Sequence, residues 1–201
     1  MAPEPITVPG VPASLHWIGE PVEAGLDDGA LSITAGARCD WFIDPRSGRT
    51  AFNAPALVGR LEGDFTLSAR VETEFGSTFD AGALMLWQDE RTWAKLAFEI
   101  SPAGQPMVVS VVTRGESDDC NSMAVDDPGI WLRVARIDGA YAFHASATGR
   151  DWQFVRHFRL PGAGPTEVGF EVQSPVGEGC RARFTQIVHT GRTLSDLRNG
   201  D

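Results

Sequence analysis

Basic residues are scarce in this chain: 17 Lys and Arg stand against 27 Asp and Glu in 201 residues, a formal charge of −10. That deficit leaves no electrostatic footing for a phosphate backbone and excludes a nucleic-acid partner. No run of about 18 apolar residues is present to cross a bilayer. The segment 1–12 also lacks the basic start and apolar stretch of an export signal, so the expectation is a cytoplasmic protein with no membrane partner. Cysteines number three, Cys39, Cys120 and Cys180, widely spaced and without a CxxC, so neither a disulfide framework nor a zinc site is indicated. At least one thiol is left free. His16, His144, His157 and His189 are scattered, and none falls in a nucleophile signature. Ser117 has no nucleophile elbow around it, and Asp118, Asp119, Asp126 and Asp127 do not follow a calcium-loop spacing. The sequence thus implies no metal and no cofactor.

Helical periodicity is missing as well, apart from a short candidate helix at Leu194 to Arg198. What the chain has is punctuation, 22 Gly and 13 Pro, with an ordinary 42% hydrophobic and 22% charged content. Between the breaks lie strand-like runs. Phe65, Leu67, Ala69, Val71 and Thr73 alternate with Thr66, Ser68, Arg70, Glu72 and Glu74, one face buried and one wet. Ala83 to Trp87 is almost wholly apolar and reads as a central strand covered on both faces, with Trp87 in the core. After a turn at Gln88 to Thr92, the next strand sends Ala94, Leu96, Phe98 and Ile100 inward and Trp93, Lys95, Ala97 and Glu99 to the other face. A Pro102–Gly104 turn leads to the β-branched run 107–113. The acidic stretch 115–121 reads as a loop. Asp138-Gly139 between apolar runs is the strongest hairpin signal, and 152–158 completes a meander. In 167–174, Val168, Phe170 and Val172 point inward, Glu171 and Gln173 outward, and 181–188 closes the sheet.

About a dozen strands without a repeat predict an all-β fold, a two-sheet antiparallel β-sandwich of the jelly-roll kind, since one sheet so wide would curl or split. The expected organisation is a Pro-rich arm over 1–13, one sandwich domain over 14–190 and a loose polar tail over 191–201.

Several segments then stand at telling intervals: Asp80-Ala-Gly-Ala-Leu-Met85, Trp93-Ala-Lys95 with Glu99, Val111-Val-Thr113 leading to Ser117-Asp118, and Ile130-Trp-Leu-Arg133. Ala147-Thr-Gly-Arg-Asp-Trp152, Val168-Gly169, Ser174-Pro175 and Gly177-Glu-Gly179 follow. In order and spacing they resemble the DUF1349 family, a group within the concanavalin A-like lectin/glucanase superfamily that includes yeast proteins named for regulation of enolase. Asp40-Trp-Phe42 is similar to its acidic-aromatic-aromatic element. The likeness runs from about Ser14 to Val188. The chain departs from it at Asp119, where the family usually carries an aromatic, and at Gly149-Arg-Asp151, where it has Asp-Gly. The resemblance implies a concanavalin A-like β-sandwich, in agreement with the strand count.

On superfamily analogy a ligand lies on the curved outer face of one sheet. The outward residues available are Trp93, Lys95 and Glu99 from one strand and Glu171 and Gln173 from another, joined by Asp40, Trp41, Thr113, Ser117 and Asp118 from edges and loops. Aromatic faces stack on the C–H side of a pyranose, while carboxylates, amides and hydroxyls satisfy its OH groups, so the mixture suits a saccharide or polyol. The blander alternative for Lys95 and Glu99 is a solvated cross-strand ion pair. The leading expectation is a non-catalytic carbohydrate-binding module. A glycoside hydrolase using Glu99 and Glu171 is the alternative; it needs carboxyls about 5–5.5 Å or about 6.5–9.5 Å apart, and no strand carries the Glu-x-Asp-x-x-Glu cluster resembling the glucanase branch. A regulatory module with a protein partner is the third reading.

Overall fold

The computed structural model describes residues 5–162, 164–198 and 200. Among them are seventeen strands, and every pairing is antiparallel. The first sheet runs, in spatial order, β1 (Ile6–Thr7), β2 (Ser14–Ile18), β7 (Ala56–Arg60), β16 (Glu167–Gln173), β9 (Ala81–Asp89), β10 (Thr92–Ile100), β11 (Pro106–Arg114) and β12 (Ser117–Ala124). The second runs β15 (Gln153–Phe158), β14 (Ala140–Ser146), β13 (Gly129–Ile137), β8 (Phe65–Glu74), β17 (Cys180–Thr190), β4 (Ala30–Ala35) and β3 (Glu23–Asp27). A separate hairpin joins β5 (Trp41–Ile43) to β6 (Thr50–Phe52). The two large sheets stack as a β-sandwich, as the alternation predicts. No described helix is long and apolar enough to cross a membrane.

Side-chain parity explains the packing. Ala94, Leu96 and Phe98 of β10 and Val168, Phe170 and Val172 of β16 are buried in the main core with Leu67, Val71, Leu132 and Phe184 of the second sheet. The Phe170 and Phe184 rings, one from each sheet, lie 5.0 Å apart. Alternation then forces Trp93, Lys95, Ala97 and Glu99 onto the outer face, where register aligns them in cross-strand rows: Lys95 beside Met85 and Val111, Ala97 beside Ala83 and Val109, Glu99 beside Ala81 and Met107. The Asp138-Gly139 turn has φ of 49° and 71°, the pair of positive values that a two-residue hairpin of matching twist requires.

Five expectations are corrected. The acidic stretch 115–121 is a tight turn at Gly115 followed by the edge strand β12, with Thr113 opposite Ser117. An edge strand needs no apolar alternation on its solvent side, which is why the acidic residues masked it. β17 does not close its sheet but lies between β8 and β4. Residues 194–198 form bends and turns rather than a helix. The tail is tied down, not loose: His144 Nε2 donates to the Leu197 carbonyl at 2.7 Å and Arg133 Nη2 to that of Gly200 at 2.7 Å. At the other end, Ile6–Thr7 extends the first sheet and Val8 and Val11 are buried, so part of the arm is built into the sandwich.

β16 passes close against β7 because Gly169 has no side chain. A Cβ there would sit 1.9 Å from the Leu57 carbonyl oxygen, a backbone atom with no freedom to retreat. Gly169→Ala is expected to cost about 1–3 kcal/mol in urea unfolding; an unchanged midpoint would contradict this register.

Candidate functional site

The outer face of the first sheet has an unusual floor. Ala81, Ala83 and Ala97 are fully buried yet form a cluster apart from the main core. Three methyl groups in adjacent rows leave room for the longer side chains of Lys95, Glu99, Glu171 and Gln173, which lie in the same and neighbouring rows. The β5–β6 hairpin roofs one end. Trp41 is buried, donates its Nε1–H to the Ala54 carbonyl at 2.8 Å and meets Trp93 edge to face at 6.3 Å between centroids. The Ile43 N–H donates to Ser117 Oγ at 2.9 Å, and that hydroxyl is 2.8 Å from Thr113 Oγ1. What remains open is a pocket of about 340 Å³, walled by Asp40, Phe42, Phe79, Glu99, Asp119 and Asn121 among others, with Lys95 and Gln173 at its base.

Lys95 organises this base. It is 1% exposed, and its Nζ donates to Asp40 Oδ1 at 2.9 Å, to the Trp41 carbonyl at 2.9 Å and to Gln173 Oε1. It also stands 5.5 Å from the Trp93 ring centroid, over its face. Gln173 passes the order on, donating from Nε2 to the Phe79 carbonyl at 2.9 Å and to Glu99 Oε2 at 3.4 Å. Asp40 Oδ1 accepts from the Trp41 N–H at 2.7 Å as well, which fixes the start of β5.

Three carboxyls surround this one ammonium, and the charge balance needs only one of them ionised. Burial pulls the Lys95 ammonium down, but Asp40, Glu171 and Glu99 outweigh it and hold the group above its ordinary value. Burial pushes Glu99 up to about 8, with Lys95 opposing and Asp40, Glu171 and Asp119 adding. Burial likewise pushes Glu171 up to about 7, against Lys95 and with Asp40. Neither carboxyl oxygen of Glu171 has a hydrogen-bond partner among the described residues, which fits a group that keeps its proton near neutrality.

The residues singled out from sequence therefore divide. Asp40, Lys95, Glu99 and Gln173 meet in the pocket. Trp41 and Trp93 are buried against each other rather than offering an open platform, and Thr113 and Ser117 are the fastening of the hairpin. Glu171 is fully buried beneath Lys95's neighbourhood and is not part of the pocket wall. Asp118 faces elsewhere, its Oδ2 2.6 Å from Arg156 Nη2. Alternation along β12 explains that split: Asp118 is opposite Val112, an inward residue, while Asp119 is opposite Val111 on the pocket side.

The family model described as protein of unknown function (DUF1349) matches residues 17–191. The chain is a DUF1349 protein. No curated protein sequence matches it. Among solved structures, the DUF1349 chain is similar to a functionally unknown protein from Saccharomyces cerevisiae, with a TM-score of 0.82 and 24% identity over 90% of this chain and 97% of that one. It is also similar to the GH43 BlXynB protein from Bacillus licheniformis, with a TM-score of 0.61, 13% identity and 83% of this chain covered; the match spans only 34% of that chain. The alginate lyase from Klebsiella pneumoniae gives a TM-score of 0.52 at 13% identity over 83% of each chain. At such identities these likenesses show the β-sandwich and nothing finer.

The DUF1349 pocket also contains groups outside the candidate set read from the sequence: Phe42, Phe79, Asp119 and Asn121. Phe79 carries no signal in the sequence; its mark is in the fold, where it holds a φ of 69°, rare for a bulky residue, and is 37% exposed. Lys95 had a plainer signal, being the only lysine in the sequence.

Because Glu99 and Glu171 titrate at about 8 and about 7 in the fold against an ordinary 4.5, the folded state binds protons that the unfolded chain has released. Their contribution to stability is complete below the unfolded value and is lost as pH rises through the folded ones. His144, pushed down to about 4 by burial, works the opposite way and adds stability as pH rises from about 4 to its ordinary 6.5. The contribution of Glu99 and Glu171 to urea stability is therefore expected to fall from about pH 4.5 to about pH 8, and Glu171→Gln to flatten part of that slope. An equally steep slope in the variant would show that Glu171 is not one of the protonated groups.

Proposed function

We propose that this DUF1349 protein is a non-catalytic carbohydrate- or polyol-binding module with a concanavalin A-like sandwich. The observation that carries the reading is the convergence, in one pocket, of hydroxyl-matching groups and aromatic rings. Asp40, Asp119, Asn121 and Glu99 supply acceptors and an amide donor, and Phe42 and Phe79 supply apolar surface at the wall. Glu99 with its proton retained is a donor as well as an acceptor near neutrality. A volume of about 340 Å³ falls at the small end of ligand sites, the range that suits one or two sugar rings. The fold recurs in a GH43 protein and an alginate lyase, but the reading rests on the pocket. An exposed unpaired Cys120 accords with the cytoplasmic location proposed for the module.

The hydrolase reading is weaker on geometry. A glycosidase brings two carboxyls to one bond, whereas here Glu99 reaches the pocket and Glu171 stays sealed below it.

The test is a titration of neutral monosaccharides, disaccharides and polyols, followed by calorimetry and by the fluorescence of the Trp41–Trp93 pair behind the pocket. At least one compound is expected to bind, and Asn121→Ala to weaken it about tenfold, or about 1.4 kcal/mol, with no change in melting temperature. A broad panel without a single binder would sink the reading.

A further inference from the structure

Asp40 lines two hollows. Beside the pocket already described, a second of about 640 Å³ runs along β6, bounded by Arg38, Arg49, Phe52, Asn53 and Val176 as well as Asp40. Its chemistry differs from the first. Two arginines border it in a protein whose net charge is −10. Arg38 meets Glu178 only at 3.9 Å, with both side chains exposed, a contact of little energetic weight. Arg49 forms no ion pair among the described residues. Neither cation is thus committed to holding the fold.

The backbone at Arg38 points the same way. This residue has a φ of 53°, a conformation that side chains other than glycine rarely adopt and that tends to gather at binding sites. It is held there from both sides: its N–H donates to the Gly177 carbonyl at 3.2 Å, and its own carbonyl accepts from Asn53 Nδ2 at 3.2 Å. Asn53 Oδ1 in turn accepts from the Asp40 N–H at 3.1 Å. Arg38 and Asp40 are thereby fixed to one another through Asn53, so the two hollows have a shared, braced rim. The Asp40 carboxylate presents little repulsion to an anion in the second hollow, because its charge is balanced by Lys95.

We propose that the second hollow is an anion-accepting subsite continuous with the first, so that the ligand is a saccharide carrying an acidic group. Its hydroxyls occupy the pocket over Lys95 and Gln173, its carboxylate or phosphate is met by Arg38 and Arg49, and Phe52 and Val176 give the ring an apolar side. This inference rests on the saccharide-binding reading and narrows it to a ligand class.

The experiment compares matched probes: glucose with glucuronate and glucose 6-phosphate, and galactose with galacturonate, by calorimetry at low and raised salt. At least one acidic probe is expected to bind about tenfold or more tighter than its neutral parent, the scale of a charge-assisted contact. Arg49→Gln and Arg38→Gln are expected to remove that advantage while leaving the neutral parent's affinity unchanged, and salt to erode it. Whether the carboxylate or the phosphate probe gains identifies the group the subsite takes. Both arginine positions are exposed, so an unchanged melting temperature serves as the check on folding. Equal binding of acidic and neutral partners, or an advantage that survives both variants, overturns the subsite while leaving sugar binding intact. Absence of binding by every probe, neutral ones included, overturns both.

Discussion

One buried ammonium sets the terms for the outer face of this sandwich. Taking a charged lysine out of water costs several kcal/mol unless its protons are all met, and Lys95 meets that demand with the Asp40 carboxylate, the Trp41 carbonyl and Gln173. Each partner then inherits an obligation. Asp40 and Trp41 begin the β5–β6 hairpin, so satisfying the ammonium draws the hairpin down onto the sheet. Gln173, once its oxygen is committed, has only its amide protons left, and these go to Phe79 and Glu99 on the pocket wall. Binding geometry and hairpin placement are thus consequences of a single solvation problem.

The alanine floor is the complementary condition. Larger residues at 81, 83 and 97 would take that room and push Lys95 and Glu171 outward. With methyl groups there, the long side chains can fold flat over the sheet, and the site becomes deep enough to strip water from Glu99 and Glu171. That desolvation raises both carboxyls far above the usual carboxylate range, so near neutrality the ammonium faces less negative charge than three ordinary carboxylates would bring. A sealed carboxyl beneath an open polar wall makes a platform for hydroxyl groups and a poor one for acid–base hydrolysis, because one of the two carboxyls never reaches the ligand.

Much of this was legible from period-2 alternation. It placed residues 93 to 99 by parity, put Glu171 and Gln173 on the same face, and predicted the sandwich. It failed where burial on the outer face depends on a distant segment: Trp93 is outward by parity yet covered by Trp41, which lies 52 positions earlier and is joined to it only through the hairpin's path. Asp118 and Asp119 show the same limit at finer grain, since the acidic stretch read as a loop and a loop has no parity. β17 was assigned to the sheet's border because sequence order suggests spatial order, whereas it is inserted between β8 and β4. The two arginines of the second hollow carry no periodic signal, as both lie outside the long strands.

The most direct measurement uses the solitude of Lys95. With lysine labelled by ¹³C at Cε, the folded protein gives one lysine resonance, and its pH titration reports the state of the buried ammonium alone. The account predicts no titration step up to and beyond the ordinary lysine value of 10.5 while the protein stays folded. A step well below that value would mean that Asp40 and its neighbours do not hold the charge, and that the site is not built around it.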